Sequence, residues 1–182
     1  AAEGVYTRVV ARRPESARSR FADLPCVDVV EGDLERPDEL VPYLADIDVV
    51  YNLAYSLEDT WEEALRHEVE PTMRFIDLCA AAHIKRFVYA SSIAIFDAGD
   101  ASQTITEETP ASPGVLASSM YARAKAEIEA YLLERHRVAG FPAVIIRPAI
   151  VLGVGKDPCH GGVASWTHPN VAVHWGTGRN KL

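Results

Sequence analysis

Arg86-Phe87-Val88-Tyr89-Ala90-Ser91 decides the fold. This apolar run has the length of a strand, and it lies between two long helical patterns, Thr60 to His83 and Leu116 to about Val138. In the first pattern Trp61, Leu65, Val69, Met73, Ile76 and Ala80 fall close to the 3.6-residue period. Pro71 interrupts it and is expected to kink or break it. A polar loop from Asp97 to about Pro113 separates the strand from the second helix. Moving outward, Val5 to Ala11, Val27 to Val30, Asp48 to Ala54 and Phe141 to Arg147 read as four further strands. A short helix to about Leu24 can start in the polar stretch Arg12 to Ser16, and Pro37 to Ala45 reads as a helix with proline near its first position. Strands alternating with helices, several of them apolar on both faces, predict an α/β fold with a doubly wound parallel sheet. From Val151 to Leu182 the periodicity fades with no clear element, as in the lead into a further lobe.

Composition limits the partners. At 182 residues the chain is long enough for one domain, or one domain and the beginning of a second. Apolar residues at 48% and charged residues at 24% exclude the collagen-like, disordered and coiled-coil classes. Eighteen basic against 26 acidic residues, a net charge of -8, argues against nucleic acid as a partner. No apolar run approaches the roughly 18 residues of a membrane span, and the residues around Glu3 and Arg8 hold no signal-peptide core. A cytoplasmic protein is expected, with Cys26, Cys79 and Cys159 as reduced thiols in no paired spacing. Cys159, His160, His168 and His174 fit no ligand pattern, so no metal is expected.

The chemistry lies in Tyr121-Ala122-Arg123-Ala124-Lys125. On a helix the phenol and the ammonium at i and i+4 share a face. A fixed ammonium favours the phenolate, so Tyr121 could exchange a proton with a substrate hydroxyl or carbonyl near neutral pH. Ser91-Ser92 ends a strand, at the edge where open parallel sheets bind ligands, and a serine hydroxyl there can hydrogen-bond a reacting oxygen.

With these motifs stand Val30-Glu31-Gly32-Asp33-Leu34, Asp48 to Ala54, Lys85 to Phe96, Thr106-Glu107-Glu108-Thr109-Pro110 and Ile146-Arg147-Pro148-Ala149-Ile150-Val151-Leu152-Gly153. In this order they resemble the extended short-chain dehydrogenase/reductase family, which contains nucleotide-sugar epimerases and dehydratases, from about Val5 to Gly155. The resemblance implies a Rossmann-like fold and three catalytic residues: Ser92 polarising the substrate oxygen, Tyr121 as acid/base, and Lys125 lowering the Tyr121 pKa and bonding the nicotinamide ribose. It also implies Asp33 and Leu34 beside the adenine, Leu53 and Ala54 along the cofactor cleft, and Pro148 shaping the nicotinamide pocket. The two long helices pair across a homodimer in many members, and a dimer is expected here on that basis.

Departures from the family pattern are as informative. The opening strand and glycine-rich turn that hold the pyrophosphate are lacking, which corresponds to roughly 25 to 30 residues of a Rossmann unit. Gly153-Val154-Gly155 and Gly176-Thr177-Gly178 do not replace the turn. Residues 1–155 are therefore read as a truncated NAD(P)-binding domain and 156–182 as the start of a substrate-binding lobe, a piece expected to be a poor catalyst alone. Glu68 stands where the family usually has an Asn of its proton relay, and Pro71 where it usually has Gly. Arg12 and Arg13, with Arg18 and Arg20 nearby, come after the strand at whose end an acidic residue would bind the adenosine ribose, so NADP(H) is favoured over NAD(H). The expected activity is an NAD(P)-dependent oxidoreductase or epimerase/dehydratase acting on a small-molecule secondary alcohol, ketone or nucleotide sugar. The alternatives are a catalytically silent dinucleotide-binding regulator or scaffold, and a bare interaction domain.

Overall fold

The computed structural model describes residues 4–96, 104–149 and 151, and the strands at 165–168 and 171–173. The expectations placed on Gly153 to Gly155, Cys159, His160, His174 and Gly176 to Gly178 lie outside the described residues. The chain divides into two compact units, Ala1–Arg147 and Pro148–Leu182.

Five strands of the first unit form where β-branched and aromatic residues cluster: β1 (Thr7–Ala11), β2 (Val27–Glu31), β3 (Val49–Asn52), β4 (Arg86–Ala90) and β5 (Ala143–Ile146). All pairings among them are parallel, with Val9 opposite Val29, Tyr51 opposite Val88, and Val88 opposite Val144. Parallel neighbours need crossovers. These are α1 (Pro14–Phe21), a 3-10 helix at Pro37–Leu44, the run α2 (Trp61–Ala64), π-helical Leu65–Val69 and α3 (Glu70–Ala81), and then α4 (Pro113–Ser118) and α5 (Met120–Ala139). The sheet is in two pieces, β1–β2 and β3–β4–β5, and among the described residues no strand joins them. This is a partial doubly wound, Rossmann-like α/β fold.

Strand β4 is the centre of the second piece. Alternate side chains of a strand point to opposite faces, yet Phe87, Val88 and Tyr89 are all buried, so both faces of β4 are covered. Thr72, Phe75, Ile76 and Cys79 of α3 form one buried stripe, and Ile128 and Leu132 of α5 are fully enclosed. The rings of Phe75, Phe87 and Phe141 meet with centroids 6.3 and 5.8 Å apart, which joins α3, β4 and the entry to β5. Gly32, at the exit of β2, is required by close approach. A Cβ there would lie 2.6 Å from Leu40 and 2.7 Å from Val10.

The structure corrects several details of the sequence reading. The helical run from Trp61 to Ala81 is unbroken at Pro71, because the π-helical turn lies before it and proline takes a first-turn position of α3, where its missing N–H costs least. The second long helix is two, α4 and α5, parted at Ser119, whose backbone is extended and whose Oγ accepts a hydrogen bond from Ala122 N. Pro37–Leu44 is a 3-10 helix containing Pro42, which cannot donate to an α-helical ladder. The tail read as featureless carries an antiparallel pair, β6 (Ser165–His168) and β7 (Val171–Val173). Such short strands leave too little periodicity to read. Among the described residues no helix is long and apolar enough to cross a membrane.

Burial has a direct chemical consequence at Cys79. Fully enclosed on the buried face of α3, its thiol is pushed up to about 12 by desolvation. The thiolate is the reactive form, so Cys79 is expected to resist a thiol reagent at pH 8 until the chain unfolds, whereas the half-buried Cys26 reacts in the native state. Peptide mapping after timed labelling checks this, and early modification of Cys79 would contradict it.

Candidate functional site

In a parallel sheet all strands deliver their following loops to one edge. At the carboxyl end of β1 stand Arg12 and Arg13, and at that of β2 stand Asp33 and Leu34. Leu53 and Ala54 come directly after β3, and Ser91 and Ser92 after β4. Pro148 lies just past β5, where it opens the second unit.

These residues differ in how free their side chains are. Arg12 and Arg13 are exposed, with Arg12 only 3.9 Å from Glu35 in a solvated pair. Arg13 and Arg20 line an open depression of about 420 Å³ with Ser16, Ala17 and Phe21. Asp33 is partly committed, since its Oδ1 accepts from Glu35 N and closes the turn after β2. Leu34 packs against the core, whereas Leu53 and Ala54 are exposed. Ser92 is half-buried, and its Oγ accepts a hydrogen bond from Ala94 N at 3.1 Å. That bond occupies a lone pair and leaves the hydroxyl proton to donate. Ser91 is buried, with its Oγ unpartnered among the described residues.

Helix α5 supplies the reactive pair. Because the chain is extended at Ser119 and helical from Met120, Tyr121 stands in the first turn of α5, half-exposed, near backbone N–H groups whose dipoles favour an anion. One turn on, Lys125 is buried, its Nζ 5.6 Å from the Tyr121 ring centroid. The rings of Tyr55 and Tyr89 stand 5.8 and 5.1 Å from the same nitrogen, so three aromatic rings surround the ammonium. Tyr55 also meets Tyr121 edge-on, centroids 5.9 Å apart. Helix α5 also packs on the Ile93–Ile95 turn that Ser92 caps.

The buried face of α5 is unusual in carrying two charges, Lys125 and Glu129, at i and i+4 among Ile128 and Leu132. Each is met from another element. Lys125 Nζ lies 3.0 Å from Glu68 Oε1 in the π-helical turn. Glu129 accepts three hydrogen bonds from the Arg147 guanidinium just past β5, at 2.7 to 3.2 Å. Tyr89 is held far above the usual phenol range by burial, with the negative charges of Glu68 and Glu129 adding to it, so it stays protonated beside the ammonium.

Sequence reasoning missed Tyr55 and Tyr89 as parts of the site. Tyr89 reads as one more apolar residue of a strand, and Tyr55 sits in a loop where no periodicity marks it. The signal available for Tyr55 was position, since it lies just beyond the carboxyl end of a parallel strand. Glu68 was visible as a departure, but its partner was not.

The family model described as NAD dependent epimerase/dehydratase matches residues 1–173. A 2-alkyl-3-oxoalkanoate reductase of Shewanella oneidensis is 28% identical over 153 residues, covering 78% of this chain and 38% of the reductase. An uncharacterized protein of Sinorhizobium fredii, y4nG, is 29% identical over 98% of this chain and 43% of its own length. The chain thus spans less than half the length of these relatives. In fold it resembles UDP-glucuronic acid 4-epimerase from Bacillus cereus, solved in complex with NAD, at a TM-score of 0.65 and 20% identity over 81% of this chain and 49% of that one.

Proposed function

Because the chain belongs to the NAD-dependent epimerase/dehydratase family, we propose that it is the catalytic core of an enzyme that moves hydride to or from a secondary alcohol or ketone, with Tyr121 as acid/base. The observation that carries this reading is the Tyr121–Lys125 pair at the head of α5, with the cation 5.6 Å from the phenol ring.

When bound, the nicotinamide accepts or supplies the hydride. The exposed, forked side chains of Arg12 and Arg13 suit a 2′-phosphate, and Asp33, Leu34, Leu53 and Ala54 are the residues that would border the rest of the dinucleotide. The residues present fit such a group, because the strand ends offer exposed guanidinium donors and a buried hydroxyl, Ser91, that has no partner among the described residues. Ser92 donates its free proton to the substrate oxygen. Tyr121 gives a proton to that oxygen in reduction and takes it in oxidation, and Lys125 favours the phenolate that forms. The Shewanella relative points to 2-alkyl-3-oxo acids and the Bacillus neighbour to nucleotide sugars, and both belong in a substrate panel.

A fluorescence titration with NADPH and NADH at fixed ionic strength tests the reading. Binding of neither would sink it. NADPH is expected to bind more tightly, and Arg12→Ala with Arg13→Ala to weaken NADPH about tenfold while leaving NADH within about twofold, since a guanidinium contacts phosphate only where phosphate exists. Equal loss for both cofactors would remove the arginines from phosphate recognition.

A further inference from the structure

Lys125 and Glu68 are the most deeply buried ion pair among the described residues, with side chains 2% and 3% exposed. Glu68 is met from both sides: Oε1 lies 3.0 Å from the ammonium in a charge contact without hydrogen-bond alignment, while Oε2 accepts hydrogen bonds from Ser56 N at 3.1 Å and Ser56 Oγ at 3.3 Å. The turn that carries it, Leu65–Val69, is π-helical. Such a turn adds a residue to the helical period and rotates the later side chains about the axis, a device frequent at functional sites. Here it falls just before Pro71, which has no N–H to extend an α-helical ladder backward.

Among the described residues the other groups met by the ammonium are tyrosine rings. Tyr55 approaches from the loop after β3, Tyr89 from β4 and Tyr121 from α5 itself. Glu129, one turn along α5, is engaged by Arg147, and the Arg123 guanidinium is stacked 3.7 Å over the Trp61 ring. Rings attract a cation, but their attraction falls short of the cost of taking an ammonium out of water. A lone lysine in such a place sheds its proton. The carboxylate of Glu68 is what offsets the desolvation.

We propose that Glu68 is a positioning residue, the buried counter-ion that holds the Lys125 ammonium between the three rings, so that the placement of the cation beside Tyr121 depends on Glu68. The catalytic half of this rests on the acid/base reading of Tyr121. The electrostatic half does not, and it is tested without turnover.

Glu68→Gln keeps the size and an acceptor for Ser56 but removes the charge. In that variant the folded state releases the Lys125 proton while the unfolded chain keeps it. The unfolded state then binds more protons, so the variant's stability climbs with pH until the free lysine also titrates. The gap in urea midpoint between the parent protein and the variant is therefore expected to be widest near pH 6 and to shrink by roughly half or more towards pH 9. A gap that stays constant with pH overturns the proposal, because packing alone gives that result. Should Glu68→Gln not fold, the pair Glu68→Gln with Lys125→Met is decisive. It is expected to fold and to exceed the single variant in stability, and a double variant no better than the single one contradicts the counter-ion role. Were the acid/base reading wrong instead, Tyr121→Phe would keep its turnover while the gap in urea midpoint still narrowed with pH as described.

Discussion

Tyr121→Phe is expected to lower kcat by a factor of about 10² to 10⁴, the range for loss of a positioned acid/base group. The substitution removes one hydroxyl and leaves the ring. Its edge-on contact with Tyr55 and its place beside the Lys125 ammonium, 5.9 and 5.6 Å between the respective centres, depend on the ring alone. Ser119 still caps α5 through Ala122 N, so the helix start should be unchanged. NADPH affinity is therefore expected to stay within about threefold while turnover collapses, the pattern of an interaction made in the transition state. Steady-state rates on the substrate panel, followed by nicotinamide absorbance and compared with the binding titration, check this. Turnover within tenfold of the parent would move the proton transfer to another group.

Arg147→Met is expected to cost about 3 kcal/mol of unfolding free energy, the range for removing one partner of a buried ion pair. Glu129 loses all three of its guanidinium hydrogen bonds and remains a carboxylate on the buried face of α5, its side chain 6% exposed. Arg147 also donates to the Glu107 carbonyl at 3.0 Å and lies over the Phe96 ring, so the loop ahead of α4 loses an anchor. Glu129→Gln in the Arg147→Met background is expected to recover much of the loss, because what destabilises the single variant is the stranded charge. Urea unfolding of both variants measures the coupling. A single variant within about 1 kcal/mol of the parent would mean that solvent reaches Glu129 freely.

Both predictions concern α5, and they show how far the residues could be read in advance. That Tyr121 and Lys125 share a face is a consequence of helical spacing, and that Ser92 ends a strand is a consequence of the run before it. Where the element boundaries were misread, the cause was local backbone geometry that hydrophobic spacing does not record. The helix through Pro71 survives because a π-helical turn takes up the mismatch, and the α4–α5 break occurs at a serine that works as a cap. Neither leaves a mark in hydrophobic period.

Local chemistry was decided by the sequence itself: β-branched runs for parallel strands, i and i+4 spacing for the phenol and ammonium, and a strand end for the serine. These depend on neighbours within a few residues, so the order of residues suffices. The state of the ammonium was decided only by the tertiary structure. Lys125 reads as a helical lysine that shares a face with Tyr121, yet only the packing of α5 against the π-helical turn leaves its side chain 2% exposed, with Glu68 as its counter-ion and three tyrosines around it. Desolvation and ion pairing are properties of what surrounds a group in space. Glu68, Tyr89 and Lys125 acquire those surroundings only when three separate elements pack together.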